Sequence, residues 1–413
     1  MVCLEFAPVS SLATEPTRSC EKISVPRCEG RPVGSLLDNF GLFLGDRGFW
    51  CNPRLFFGSS DIVAVGDDVF VLSHRPVKVV ELSVVTSKVV NSIPFPSRDL
   101  IVTPTSLSVD GPDVFVSGLT PVKLQSVVAE FNISTHALVA IIRDPYSGAP
   151  DASYISTDGP DVFALFHLGA IVEFNTTTGK TVRVLSAPAY DLSEPNFITN
   201  NGPDVFVTSQ QSNTVTEINA AAGALVRVLS PRHQTNCPCT VALRRQDAFV
   251  TNEVGTNRKT QDGSVTEFNI TTGTLVRVLD AKTYGFHIPK GISIFGSDAF
   301  VTNDQGTVTE FNTTTGALVR ILQDKEEDIW GQVVARGNHV FYILTVPIKD
   351  SSVREVSEFS ATTGQLIRKL DAPSYEFNDT RGAAVAGSDV FVINRNSLTE
   401  FSAITTSLVH VFR

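Results

Sequence analysis

Residues 289–322 read PKGISIFGSDAFVTNDQGTVTEFNTTTGALVRIL. Four short stretches rich in apolar and β-branched residues, PKGISIF, AFVTN, TVTEFN and ALVRIL, have the composition of strands. Between them lie Gly296-Ser297-Asp298, Asp304-Gln305-Gly306 and Thr313-Thr314-Thr315-Gly316. Gly, Asp and Thr are the residues that let a backbone reverse direction. The segment therefore reads as one antiparallel sheet of four strands, A to D, joined by hairpin turns.

The same unit recurs in both directions. Asp-Val-Phe, or a near copy, ends at Phe70, Phe115, Phe163, Phe206, Phe249, Phe300, Phe341 and Phe391. The mean spacing, about 46 residues, is that of propeller blades. A glutamate and a large apolar residue follow each time: Glu81, Glu130, Glu173, Glu217, Glu267, Glu310, Glu358 and Glu400. Turn glycines recur at Gly179, Gly223, Gly273, Gly316 and Gly364. A four-stranded unit cannot cover its own two faces, so copies must stack side by side. The expected fold is an all-β propeller of eight four-stranded antiparallel blades over 61–413, preceded by a non-repeating, partly disordered segment, 1–60. The first unit lacks the turn glycine, which leaves a seven-bladed ring as the alternative.

Composition narrows the partners. Charged residues are 18% of the 413 residues and the net charge is −10. No basic stripe is available for a nucleic acid or an anionic bilayer surface. No apolar run has the length of a membrane-spanning helix. The N-terminus lacks the basic start and unbroken apolar stretch of a signal peptide. A low-charge, Ser/Thr/Asn-rich chain points to an extracellular or cell-surface setting, with the cytoplasm left open by the missing signal. A monomer is expected.

Phe249-Val250-Thr251-Asn252 and Phe300-Val301-Thr302-Asn303, with the continuation VTEFNTTTGALVRIL, resemble the YVTN signature of bacterial β-propeller repeats. The resemblance spans about 61–413 and is strongest over 152–413. It implies the propeller fold and a bacterial secreted or surface protein. The family is usually seven-bladed, so eight units depart from it. Related propellers include NHL-type sensors and a streptogramin lyase. The matching residues belong to the scaffold, so the resemblance implies little about function.

Function is sought on the variable connections. The A–B turns are nearly uniform (Gly111-Pro112-Asp113, Gly202-Pro203-Asp204, Gly387-Ser388-Asp389), whereas the B–C and D–A loops differ in length and chemistry. Recognition favours variable loops on a rigid frame. The D–A loops carry Tyr190, Tyr284 with Phe286, Tyr375 with Phe377, and, in a comparable place, Trp330. These aromatics either grip a sugar or peptide or plug the gaps between blades. Asn196, Thr240, Lys290, Gly331 and Arg381 open the inner strands and should ring the channel. The candidate binding set is Tyr190, Asn196, Tyr284, Lys290, Trp330, Tyr375 and Arg381.

Catalytic signals are sparse. His74, His167, His233 and His287 fall near the variable face without metal-ligand spacing. Cys237-Pro238-Cys239 is too tight for an ordinary internal disulfide, and pairing with a cysteine of the head is the alternative. Glu and Arg ten residues apart (173/183, 217/227, 267/277, 310/320, 358/368) suit cross-strand pairs that hold register. Asn-x-Ser/Thr triplets at Asn132, Asn175, Asn269, Asn312 and Asn378 follow from the turn. The reading is a non-enzymatic module that recognises a protein, peptide or glycan through the D–A/B–C face. No cofactor, metal or catalytic residue is assigned. The alternative is a metal-assisted lyase or hydrolase at the channel mouth, using those four histidines.

Overall fold

A computed structural model describes residues 61–413 except 75, 96–100, 122–124, 144–153, 159–160, 167–168, 179, 187, 230–236, 254–261, 324–329, 346–354, 378–379 and 381. The predicted segment 1–60 lies outside the described residues. The rest forms eight sheets of four strands, each in simple A-B-C-D order and antiparallel throughout. Blade 1 is Asp61–Val65, Asp68–His74, Val77–Ser83 and Lys88–Pro94. Blades 2 to 8 begin at Thr103, Ile155, Pro195, Pro238, Ile292, Trp330 and Gly382. Inner strands A contact one another around the ring, and the A strands of blades 1 and 8 close it. The ring has eight blades, not seven. No strand is borrowed across the seam.

Strand B shows why stacking works. Its side chains alternate between faces, and the Val-Phe-Val pattern uses both. In blade 1, Phe70 and Leu72 face blade 2, while Val69 and Val71 face blade 8. The rule holds everywhere: Phe115, Phe163, Phe206, Phe249, Phe300, Phe341 and Phe391 each join the cluster shared with the next blade. A large strand-C residue of the next blade meets each one: Phe131, Phe174, Ile218, Phe268, Phe311, Phe359, Phe401 and, at the seam, Leu82. There are thus eight apolar clusters for eight interfaces. Burying each such side chain is worth roughly 2–3 kcal/mol.

Each strand-C glutamate sits opposite the strand-B phenylalanine and shares its face, as Phe249 pairs with Glu267. The register then slips by one residue in all eight blades, between Glu267 and Phe268 in blade 5. Such a bulge sharpens the strand twist before the C–D turn. That turn ends on a left-handed residue: Gly223, Gly273, Gly316 and Gly364, but also Ser87, His136 and Thr406. The first unit therefore keeps the turn without its glycine. In Asn132, Asn175, Asn269 and Asn312 the side-chain oxygen accepts bonds from the residue three positions on, closing the same turn. Asn378 lies outside the described residues.

Candidate functional site

With strands in A-B-C-D order, the A–B and C–D turns share one face and the B–C and D–A loops the other. Three predicted aromatics leave the second face and enter the blade interfaces. The Tyr190 hydroxyl donates to the Gly223 carbonyl at 2.8 Å, in the C–D turn of the following blade. Tyr284 donates likewise to Gly316, and Tyr375 to Thr406 at 2.6 Å. Their own carbonyls accept from strand-C threonines: Thr216 (2.8 Å), Thr309 (3.0 Å) and Thr399. Phe286 and Phe377 are buried and stacked on Tyr284 and Tyr375. The repeated loop aromatic is thus a wedge between blades, and these tyrosines are not brought together at the mouth. The Trp330 side chain and Arg381 lie outside the described residues.

Three of the inner-strand residues, Asn196, Thr240 and Lys290, bond across neighbouring blades. Asn196 Nδ2 donates to the Cys239 carbonyl at 3.2 Å, and its Oδ1 accepts from Thr208 at 2.7 Å, tying blade 4 to blade 5. Lys290 Nζ is 2.8 Å from Glu253 Oε1, linking blades 5 and 6. Thr240 Oγ1 donates to the Lys290 carbonyl at 2.9 Å. The other carboxylate oxygen of buried Glu253 has no hydrogen-bond partner among the described residues. Cys239 is a free thiol beside this pair. Burial pushes it up, the Glu253 carboxylate pushes further, and Lys290 partly offsets them. A thiol held in its neutral form is a poor nucleophile.

Two further groups at the mouth were not singled out from sequence. Tyr154 stands at the start of the inner strand of blade 3, 48% exposed, with its ring centroid 5.9 Å from that of Phe197. The surrounding protein, then Cys239 and Asp61, push its phenol up to about 12. Asp61 opens strand A of blade 1, and burial pushes its carboxyl up to about 6. The Leu107 amide, donating at 2.8 Å from blade 2, pulls it back. Blades 1 and 5 thus bring an acid and a thiol within electrostatic reach of the phenol from blade 3. No repeat position marks them: neither Tyr154 nor Cys239 recurs in the blades.

His287 hydrogen-bonds through Nδ1 to Asp304, at the junction of the D–A and B–C loops of blade 6. His74 ends strand B of blade 1, and His167 and His233 lie outside the described residues. Among the described residues no three His, Cys, Asp or Glu side chains stand close enough to hold a metal ion. Cys237 is disulfide-bonded, its partner outside the described residues. The YVTN-like asparagines are scaffold: Asn252 Nδ2 donates to Thr266 and Asn303 Nδ2 to Thr309, holding strand B to strand C. No described helix is long and apolar enough to cross a membrane.

No family model matches the chain. No curated protein matches it in sequence. Solved structures match it in fold. The computationally designed Ika8 protein aligns at TM-score 0.66 and 13% identity, over 84% of this chain and 97% of its own. BamB from Moraxella catarrhalis aligns at 0.59 and 13%, over 82% and 95%. The dihydro-heme d1 dehydrogenase NirN, in complex with DHE, aligns at 0.61 and 14%, over 88% and 74%. At such identities the likeness is one of fold alone.

Proposed function

We propose that the protein is a non-enzymatic recognition module that holds a peptide, protein segment or glycan at the channel mouth of its D–A/B–C face. A propeller fold of this kind is compatible with a binding or scaffold role. One observation carries the reading. The groups that no packing rule demands, Tyr154, Cys239 and the Glu253–Lys290 pair with its unsatisfied carboxylate oxygen, gather at that mouth. A half-exposed tyrosine with a charged pair beside it suits stacking plus hydrogen bonding to a polar ligand. Membership of the YVTN-type repeats, with an extracellular or cell-surface setting, accords with the sequence and belongs to the same proposal.

The test is an array of oligosaccharides and short peptides, followed by titration of any ligand found. Tyr154→Ala and Lys290→Ala should each weaken binding about tenfold or more, as anchor residues do, while circular dichroism stays unchanged. A ligand whose affinity neither substitution alters would overturn the assignment of the mouth.

A further inference from the structure

In blades 3 to 7 a strand-D arginine faces the strand-C glutamate of its own blade. Arg183, Arg227, Arg277, Arg320 and Arg368 lie 2.7–3.0 Å from Glu173, Glu217, Glu267, Glu310 and Glu358. Four of them also cross to the next blade and donate to a C–D turn carbonyl: Ala221, Thr271, Thr314 and Ala361. Glutamate, guanidinium and carbonyl form a clasp across the interface.

Blade 2 keeps the glutamate and lacks the arginine. Glu130 pairs with Ala140 across the ladder. Glu130 is fully buried, and neither carboxylate oxygen has a hydrogen-bond partner among the described residues. Burial pushes its carboxyl up to about 7, and among the described residues the charge that reaches it, Asp113, is another acid that pushes the same way. The facing turn of blade 3 has the usual build: Thr178 donates to Asn175 Oδ1 at 3.0 Å, as Thr315 does to Asn312 in blade 6. Thr177 sits in that turn where Thr314 presents its carbonyl to Arg277. The arginines of the four clasps keep 20–27% of their side chains exposed, so the position they occupy opens on the rim.

We propose that the interface between blades 2 and 3 binds a guanidinium group supplied from outside the blade, an arginine side chain of a peptide ligand, on Glu130 and the Thr177 carbonyl. Buried carboxylates call for a partner, and a planar fork of donors is the one the other blades use. The site lies in a blade interface near the rim, not at the channel mouth, and does not depend on the function proposed for the mouth.

Methylguanidinium is the probe, titrated at pH 8 by calorimetry against the full-length protein, with methylammonium and an arginine-containing tripeptide alongside. The expected result is saturable binding of methylguanidinium and the tripeptide, on the order of 1–10 mM for so small a probe, with methylammonium weaker. Glu130→Gln should lose it at least about tenfold. Ala140→Arg, which supplies the group within the chain, should abolish it. Should Ala140→Arg not fold, the Glu130→Gln comparison decides alone. No binding to the wild type, or equal binding to Glu130→Gln, would overturn the proposal. Filling of the position by one of the chain's own arginines would appear as the first of these outcomes.

Discussion

Blades 3 to 7 and blades 8, 1 and 2 bury the same apolar pairs and differ in what lies over them. In blades 3 to 6 the strand-D arginine runs across the interface and the following C–D turn carries glycine; in blade 7 Arg368 meets a turn that ends on Thr406. A Cβ on Gly223, Gly273, Gly316 or Gly364 would stand 2.1–2.6 Å from Arg183, Arg227, Arg277 or Arg320. In the second group the position opposite the glutamate holds Asn91, Ala140 or His410. The turns after Asn91 and His410 end on His136 and Ser87. Asn91 bonds the Ile133 carbonyl at 3.0 Å, and Ser87 bonds Glu400 at 3.0 Å across the seam. Arginine and glycine are therefore two halves of one device that spans two blades. Where one half is missing, a shorter polar contact or none replaces it.

The largest effect should come from breaking a complete clasp. Arg277→Ala leaves Glu267, only 2% exposed, without its cation. Removing one partner of a buried pair costs roughly 3–5 kcal/mol, and the partly exposed arginine places this case near the lower figure, about 3 kcal/mol at pH 8. His410→Ala, in the unclasped group, should cost about 1 kcal/mol or less. Chemical denaturation of both variants measures the difference. Equal losses would mean that the clasp contributes no more than ordinary surface packing.

The next effect sharpens the comparison through pH. Glu130 has a folded-state pKa of about 7, above its ordinary 4.5. A group raised in this way contributes its stability below the unfolded value and loses it as pH rises through the folded one. Wild type should therefore weaken between about pH 4.5 and pH 7 through this residue, by about 3 kcal/mol. Glu130→Gln cannot ionise. Whatever its offset at pH 4, it should gain about 3 kcal/mol on wild type by pH 8. Parallel stability curves for the two proteins would show that Glu130 is not held in an uncompensated site.

The scaffold was legible because each repeated position has its own physical reason. The Phe of strand B and the apolar residue of strand C recur since every interface needs both. Glu and Arg recur ten apart since the bulge and turn bring that spacing face to face. Blade 1 was harder to see, because Ser87 occupies a left-handed turn position that reads as glycine in five other blades. The site was less legible for the opposite reason. Tyr190, Tyr284 and Tyr375 recur, but the carbonyl that each hydroxyl reaches lies 31–33 residues later, on the next blade. Spacing alone does not tell such a wedge from a ligand contact. Cys239 and Glu253 share blade 5, and Tyr154 of blade 3 comes within reach of Cys239 only once the blades are assembled. Repetition reports what the blades share, and recognition draws on what they do not.

The smallest effect concerns Thr406, the one place where a clasp arginine meets a turn without glycine. Thr406 has φ 57°, a left-handed conformation that disfavours a β-branched residue. Arg368, in the blade before it, is 46% exposed, against 20–27% for the arginines that cross over glycine. Thr406→Gly relieves the backbone and removes the side chain from the arginine's path. Against this stand the added freedom of glycine in the unfolded chain and the loss of a buried methyl. The expected net is a gain of about 0.5–1 kcal/mol. Double-mutant cycles with Arg368→Ala separate the two contributions. If the gain survives without the arginine, it is the turn that improves. If it vanishes, the fifth clasp has closed, and the boundary between the two groups of blades has moved by one interface.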